Sequence, residues 1–442
     1  MESGPEPTRR QLLTLLTAIG IGTAATHMAT TAGADDDHPG TDPEDIARIA
    51  RDIGEGEPLT VVDLVPLENN IETVLAAAEE RGFHVRPSLK SFQCPELCAY
   101  VLERLPEPRG MVFHMGEIEE LLPVLPNEPD LMLGYVPTVG ELERYFASTG
   151  EDEPPHRLRI MLDHPDLIRT CGELAANGNR SLPVEVALEF DSRMQRGGLR
   201  NTDELDEALS VLREYEDVLE LTALMCYDGH ATIESNDVFR TAIAREAQRR
   251  YRRFVEHIDR EAADLVDVDE LVRNGPGSSN YQNWEPEDVL TEVSPGTAFT
   301  YHGYLTESGF DNDGLEPTLY HAAPVMRIPA KGPRLPFLDR GAALTEVGFG
   351  DMEEVLLKGG GWPSNEGDLA ELAWPEGATD NPIAGSRGNN ASFIMAPTGE
   401  LELGDYVLLR PQHSGDGIDY FSTIHAVRDG EHVGEWETYD LW

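Results

Sequence analysis

Lysine is scarce in this chain. It occurs at Lys90, Lys331 and Lys358, against 31 arginines. One of the three, Lys90, ends the run Arg86-Pro87-Ser88-Leu89-Lys90-Ser91. An amine held in a partly apolar pocket loses affinity for its proton, and the neutral form can attack an aldehyde to give an imine. Three further segments carry chemistry. Asn274-Gly275-Pro276-Gly277-Ser278-Ser279 can turn backbone N–H groups and hydroxyls toward a phosphate. Arg196, in Gln195-Arg196-Gly197-Gly198, can hold an anionic oxygen and stays charged at any working pH. Tyr227-Asp228-Gly229-His230 offers a phenol to pack against a ring and an imidazole that moves protons near neutrality. Each also has a plain reading: a surface lysine, a Gly-Pro turn, an arginine paired with an acid, a structural histidine. Spacing alone does not decide between the two sets.

The elements that must position these groups alternate regularly. Apolar strand patterns at 59–65, 84–89, 110–114, 131–135, 159–163, 184–190 and 219–227, with a weaker one near Leu271, are separated by helical periodicity. Eight such steps fit an α/β fold, a parallel (β/α)8 TIM-type barrel, with an open doubly wound sheet as the alternative. In a barrel, strand C-termini line the active-site mouth, and a phosphate site often follows the last strands. Lys90, Arg196, Tyr227 and the Gly-Ser loop each follow a predicted strand. Beyond Pro317 the texture changes to short apolar runs (325–328, 355–357, 393–396, 406–409) between Gly, Pro and Asp turns. The organisation expected is a barrel over 58–315 followed by a C-terminal β domain over 316–442.

The remaining composition excludes several functions. With 82 acidic residues against 34 basic ones, the net charge is −48. Such a surface repels nucleic acid and anionic lipid and resembles the acidic shell with which halophiles stay soluble in salt. The cysteines Cys94, Cys98, Cys171 and Cys226 form no CxxC pair and no zinc spacing, so no disulfide framework follows. Cys94 and Cys98 are four apart on a predicted helix and are expected to face the core. Residues 1–34, with Thr8-Arg9-Arg10-Gln11-Leu12-Leu13, a mildly apolar run and Ala32-Gly33-Ala34, resemble a twin-arginine export signal, too short and polar for a stable membrane span. Export to the cell surface or beyond is expected, or a cytoplasmic location if the signal is unused. Residues 35–57 are acidic, contain Gly and Pro, and read as a linker.

The segments Arg86–Ser91, Arg196-Gly197-Gly198, Tyr227–His230, Asn274–Ser279 and Gly296-Thr297, in that order, together resemble the D-threonine aldolase and D-serine dehydratase group of the alanine-racemase-like, fold-type III pyridoxal-phosphate enzymes. The stretches 403–411 and 427–430 resemble that group's β domain. The resemblance implies pyridoxal 5′-phosphate as cofactor. It makes Lys90 the Schiff-base lysine, Arg196 the contact to the cofactor's phenolic oxygen, Tyr227 a pocket tyrosine, and Gly275, Gly277, Ser278, Ser279, Gly296 and Thr297 the phosphate cradle. It implies a lyase acting on a small D-amino acid. The alternatives are a racemase, or an exported protein that binds the cofactor or an amino acid without turnover. Lys90 would also move the Cα proton, with His230 as the second acid–base. A homodimer is compatible with the resemblance. Metal-dependent members carry His-x-Cys or His-x-Asp in the β domain. Here His413-Ser414-Gly415-Asp416 puts Gly415 at the second ligand position, so no metal is expected.

Overall fold

A computed structural model describes residues 40–125, 129–149, 157–178, 182–233, 237–284, 289–303, 305, 314–329, 349–362, 370–381 and 387–439. The proposed export segment lies outside them. The chain divides into two compact units, one of residues 66–318 with the C-terminal 436–442, the other of residues 1–65 with 319–435.

The first unit is an eight-stranded parallel sheet. Its strands are β2 (His84–Val85), β3 (Arg109–Val112), β4 (Asp130–Leu133), β5 (Arg157–Leu162), β6 (Val184–Glu189), β7 (Leu219–Met225), β8 (Val272–Asn274) and β9 (Glu292–Val293). They run β2-β9-β8-β7-β6-β5-β4-β3. The ends meet at a parallel bridge, Ser88 to Met111, where Met111 N–H donates to Pro87 O at 2.8 Å. The result is a nearly closed TIM-like barrel. Its middle strands are buried almost throughout because helices cover the outer face, which is why they read as continuous apolar runs. The covering helices follow from local signals. Helix Pro165–Asn177 has proline in its first turn, and His164 accepts the Asp166 N–H. It buries Ile168, Cys171, Gly172 and Ala175, one stripe at helical spacing. Helix Thr202–Glu214 is capped by Asn201, whose Oδ1 accepts two backbone N–H groups. All four cysteines are free and buried.

The second unit holds β1 (Leu59–Asp63), β10 (Leu319–Arg327), β11 (Met352–Lys358), β12 (Glu371–Trp374), β13 (Thr379–Asp380), β14 (Ala391–Pro397), β15 (Tyr406–Arg410), β16 (Thr423–Arg428) and β17 (Glu431–Glu437). They form one nine-stranded sheet, antiparallel except where β1 runs parallel to β16. The expected C-terminal runs at 325–328, 355–357, 393–396 and 406–409 fall in β10, β11, β14 and β15.

Two expectations are corrected. The strand at Leu59 does not open the barrel; it pairs with β10 and β16 in the β unit, and β9 supplies the eighth barrel strand. Strand β1 is buried throughout and the barrel strands almost throughout, so an apolar run cannot announce which sheet takes it. The segment read as a linker contains a helix, Pro43–Ile53, capped by Asp42 and burying Ile46, Ala47, Ile49 and Ala50. Its acidic face hid an apolar stripe at i, i+3 and i+4.

The barrel interior carries charge near the starts of β4 and β9. Arg86 is fully buried and bidentate to Glu292, with Nε–Oε1 at 2.6 Å and Nη2–Oε2 at 3.1 Å. Its Nη1 also donates to the Asp130 carboxylate at 2.9 Å, and Arg159 pairs with the same carboxylate. Burial would raise the Glu292 and Asp130 carboxyls, but Arg86 beside them holds both below the usual range. Asn274 extends the network, its Nδ2 donating to Glu292 Oε1 at 2.9 Å and Ser294 Oγ at 2.7 Å.

Candidate active site

Lys90 stands on a single 3-10 turn, Leu89–Ser91, just past the bridge that closes the barrel. Leu89 is fully buried and packs where Gly110 has no side chain; a Cβ there would lie 2.8 Å from Leu89 Cδ1. Behind the turn, Tyr439 N–H donates to Gln93 O at 3.1 Å. The turn is thus fixed on both sides while Lys90 itself is exposed. Its Nζ lies 4.3 Å from the centre of the Phe113 ring and 5.9 Å from that of Tyr135. Phe113 and Tyr135 follow β3 and β4 and meet edge to face at 5.6 Å. Gly134 lets them approach, since a Cβ there would lie 2.6 Å from Phe113 Cε1.

Arg196 is carried by the loop after β6. Asp191 Oδ1 accepts the backbone N–H of Arg193 and of Gln195, and Gly198 takes a positive φ of 89° against the Phe190 backbone. The Arg196 guanidinium is held on three sides. Nη2 donates to Glu189 at 2.7 Å, and Cζ lies 4.8 Å and 4.7 Å from the ring centres of Tyr135 and Tyr227. Burial disfavours its charge, yet the Glu189 carboxylate outweighs burial and raises its pKa. Glu189 itself is pushed up by burial, against the pull of Arg196.

Tyr227 follows β7. Gly229 leaves room for its ring, since a Cβ there would lie 2.3 Å from Cε1, and Gly277 faces the opposite ring edge. The Gly-Ser loop follows β8. Ser278 Oγ accepts the N–H groups of Gly296 and Ala298 at 2.9 Å each, which leaves its own O–H to donate. Gly296 is compelled by packing: a Cβ would lie 2.4 Å from Ser91 Oγ and 2.9 Å from Ser88 O. The segment that carries Gly296 and the lysine turn therefore touch.

One cavity is lined by Lys90, Arg196, Tyr227, Gly275, Gly277, Ser278, Gly296 and Thr297. Ser279 is buried beside this cavity without lining it. His230 does not line it either; it sits on the 3-10 turn Gly229–Ile233, its Nδ1 buried and without a hydrogen-bond partner among the described residues. Sequence reading missed Met111, Phe113, Gly134, Met225 and the serines Ser88, Ser91 and Ser294, which complete the wall. Phe113 and Tyr135 were legible in principle, since both directly follow barrel strands. It also missed Glu117. This buried carboxyl accepts the Phe113 N–H at 2.8 Å and is pushed up to about 7 by burial, against the Phe113 and His114 amides and the Lys90 charge. In the β unit, His413 directly precedes the short helix Ser414–Ile418 without a side-chain capping bond, and the side chain of Asp416 lies outside the described residues. Among the described residues no three His, Cys, Asp or Glu side chains cluster as metal ligands. Among them, too, no helix is long and apolar enough to cross a membrane.

The sequence profile described as "Alanine racemase, N-terminal domain" matches residues 62–302. The chain belongs to that family. The alanine-racemase-like fold is that of pyridoxal-phosphate-dependent enzymes, and the chain is an enzyme of this kind. Among solved structures, D-threo-3-hydroxyaspartate dehydratase from Delftia sp. HT23 is similar, with a TM-score of 0.67 and 15% identity, over 87% of this chain and 98% of that one. D-threonine aldolase from Filomicrobium marinum is similar with a TM-score of 0.67 and 17% identity, over 86% and 94%. Alanine racemase from Bacillus anthracis is similar with a TM-score of 0.61 and 15% identity, over 86% and 97%. No curated protein matches the chain. At these identities the solved structures share the fold with this member of the alanine racemase N-terminal domain family.

The donor set fits pyridoxal phosphate. An amine and a fixed cation line the same cavity as a loop of bare glycines and a hydroxyl able to donate. An anionic ester that also carries an aldehyde requires those groups.

Proposed function

We propose that this protein is a pyridoxal-phosphate-dependent lyase acting on a small D-amino acid. The observation that carries the reading is that Lys90, Arg196, Tyr227 and the Gly275–Ser278 loop, remote in sequence, line one cavity. Two of the similar structures are a dehydratase and an aldolase named for D-amino acids, and they superpose with higher TM-scores than the racemase. That favours bond cleavage at Cβ over racemisation.

When bound, the cofactor withdraws electrons from the amino acid and makes its Cα proton removable. The rest falls to the chain. Lys90 would hold the cofactor through its amine and, released from it, carry the Cα proton at Nζ. Arg196, clamped by Glu189 and two rings, would hold its own positive charge against the cofactor's phenolic oxygen. Gly275, Gly277 and Thr297 would bring backbone N–H groups to the phosphate, and Ser278, oriented by the N–H groups of Gly296 and Ala298, would donate its O–H. Met111, Phe113 and Met225 exclude water from the cavity wall. The N-terminal segment would act as the export signal. A twin-arginine route carries folded protein, so the cofactor is loaded first.

The test is the visible spectrum of purified protein before and after borohydride, with peptide mapping, followed by incubation with D- and L-amino acids. Expected are a reducible band, an adduct on Lys90, and keto acid or aldehyde formed from a D-amino acid and abolished in Lys90→Ala. Inversion without cleavage would make it a racemase. A band without turnover of any amino acid would make it a binding protein.

A further inference from the structure

Two loops that line the cavity are tied together behind it by one carboxylate. Asp228 directly follows Tyr227 and is fully buried. Its Oδ2 accepts from Asn280 Nδ2 at 2.5 Å and from Trp284 Nε1 at 2.9 Å. Both donors lie just beyond the Gly-Ser loop in sequence. Asn280 is in turn folded onto that loop, since its own N–H donates to Gly277 O at 3.2 Å. Gly277 faces the Tyr227 ring, where a Cβ would lie 3.3 Å from Cε2. The path Tyr227, Asp228, Asn280, Gly277 and back to Tyr227 is a closed ring of covalent, hydrogen-bonded and packing contacts. Trp284 anchors it to the barrel. Its indole meets Tyr251 edge-on, and the Tyr251 hydroxyl donates to Leu224 O on β7, the strand that leads into Tyr227.

A carboxylate in this place costs stability. Burial drives the Asp228 pKa up, while Trp284, Asn280 and the more distant His230 oppose it, and its second oxygen, Oδ1, has no partner among the described residues. Oxygen Oδ2 does what an apolar side chain cannot: it accepts from two donors at once.

We infer that Asp228 is a positioning residue that fixes the gap between the Tyr227 ring and the Gly277 backbone, and so sets how tightly the cofactor is held. The inference rests on the proposed function. The experiment titrates cofactor-free protein with pyridoxal phosphate, followed by the visible band, well below the melting temperature. Asp228→Ala leaves two buried donors unpaired and lets the loops part; affinity should fall about tenfold or more. Asp228→Asn keeps an oxygen for both donors and should stay within about threefold of wild type. Trp284→Phe removes one donor while keeping a smaller aromatic ring and should lose about threefold, which keeps the test decisive where the alanine variant does not fold. A merely structural Asp228 would lower the melting temperature of Asp228→Ala yet leave its affinity unchanged. That result, or an unchanged affinity in Trp284→Phe, overturns the inference. A wild type that takes up no pyridoxal phosphate overturns the functional reading beneath it instead.

Discussion

Replacing Arg86 by methionine is the sharpest test of how the barrel holds its lysine. Arg86 lies four residues before Lys90 and is fully buried against Glu292, which is also fully buried. The substitution removes both guanidinium bonds to Glu292, the bond to the Asp130 carboxylate and the 2.7 Å bond to Asp130 O. Breaking a buried ion pair from one side costs about 3–5 kcal/mol, because the remaining charge keeps its desolvation penalty. Glu292 retains Asn274 at 2.9 Å and Arg109 at 3.2 Å, and Asp130 retains Arg159, so the lower end of that range applies. For a unit of this size, about 3 kcal/mol corresponds to a fall in melting temperature of about 6–12 °C. Arg86→Met with Glu292→Met should lose less than the single variant, because no orphan carboxylate remains. The pH dependence has a definite sign. In the wild type the Glu292 and Asp130 pKa values lie below their unfolded values. Their stabilisation is therefore present above the unfolded carboxylate range, about pH 4, and is lost as pH falls through the folded values. The gap between wild type and Arg86→Met should narrow as the medium is acidified below about pH 4. Urea or thermal unfolding at two pH values measures it. An Arg86→Met protein within about 1 kcal/mol of wild type at neutral pH would refute the reasoning.

Three further outcomes are expected. Glu117, whose pKa is raised to about 7, destabilises the fold as pH rises from the unfolded carboxylate range through that value, and Glu117→Gln should abolish that slope and gain up to about 3 kcal/mol at pH 8 in a denaturation series. Arg196→Lys keeps the charge but not the planar guanidinium held near the Tyr135 and Tyr227 rings, and kcat/KM on the preferred amino acid should fall about tenfold or more with a shifted absorption maximum. Gly296→Ala pushes a Cβ to 2.4 Å from Ser91 Oγ and displaces the lysine turn; equilibrium titration should show weaker pyridoxal-phosphate binding with the fold retained.

What the residues disclosed, and what they hid, follows one physical division. Lys90, Arg196, Tyr227 and the Gly-Ser loop were legible because each follows a strand, and a barrel gathers strand C-termini regardless of their distance in sequence. The helix at Pro43–Ile53 and the destination of the strand at Leu59 were not. Both depend on which buried surface receives an apolar stripe, and a stripe carries no address. Arg86, Glu292, Asp130 and Asp228 were hidden for a different reason. In a chain with 82 acidic residues, a buried acid has no compositional signature; it is one of many until its partners are known. Their partners lie 44 to 206 residues away from Arg86, and 52 and 56 residues from Asp228. The acidity that keeps such a surface solvated thus masks the few carboxylates that do structural work inside. Those few are the ones whose removal the chain should tolerate least, since a surface acid is screened by water and salt while a buried one is answered only by a few fixed guanidinium, amide or indole donors.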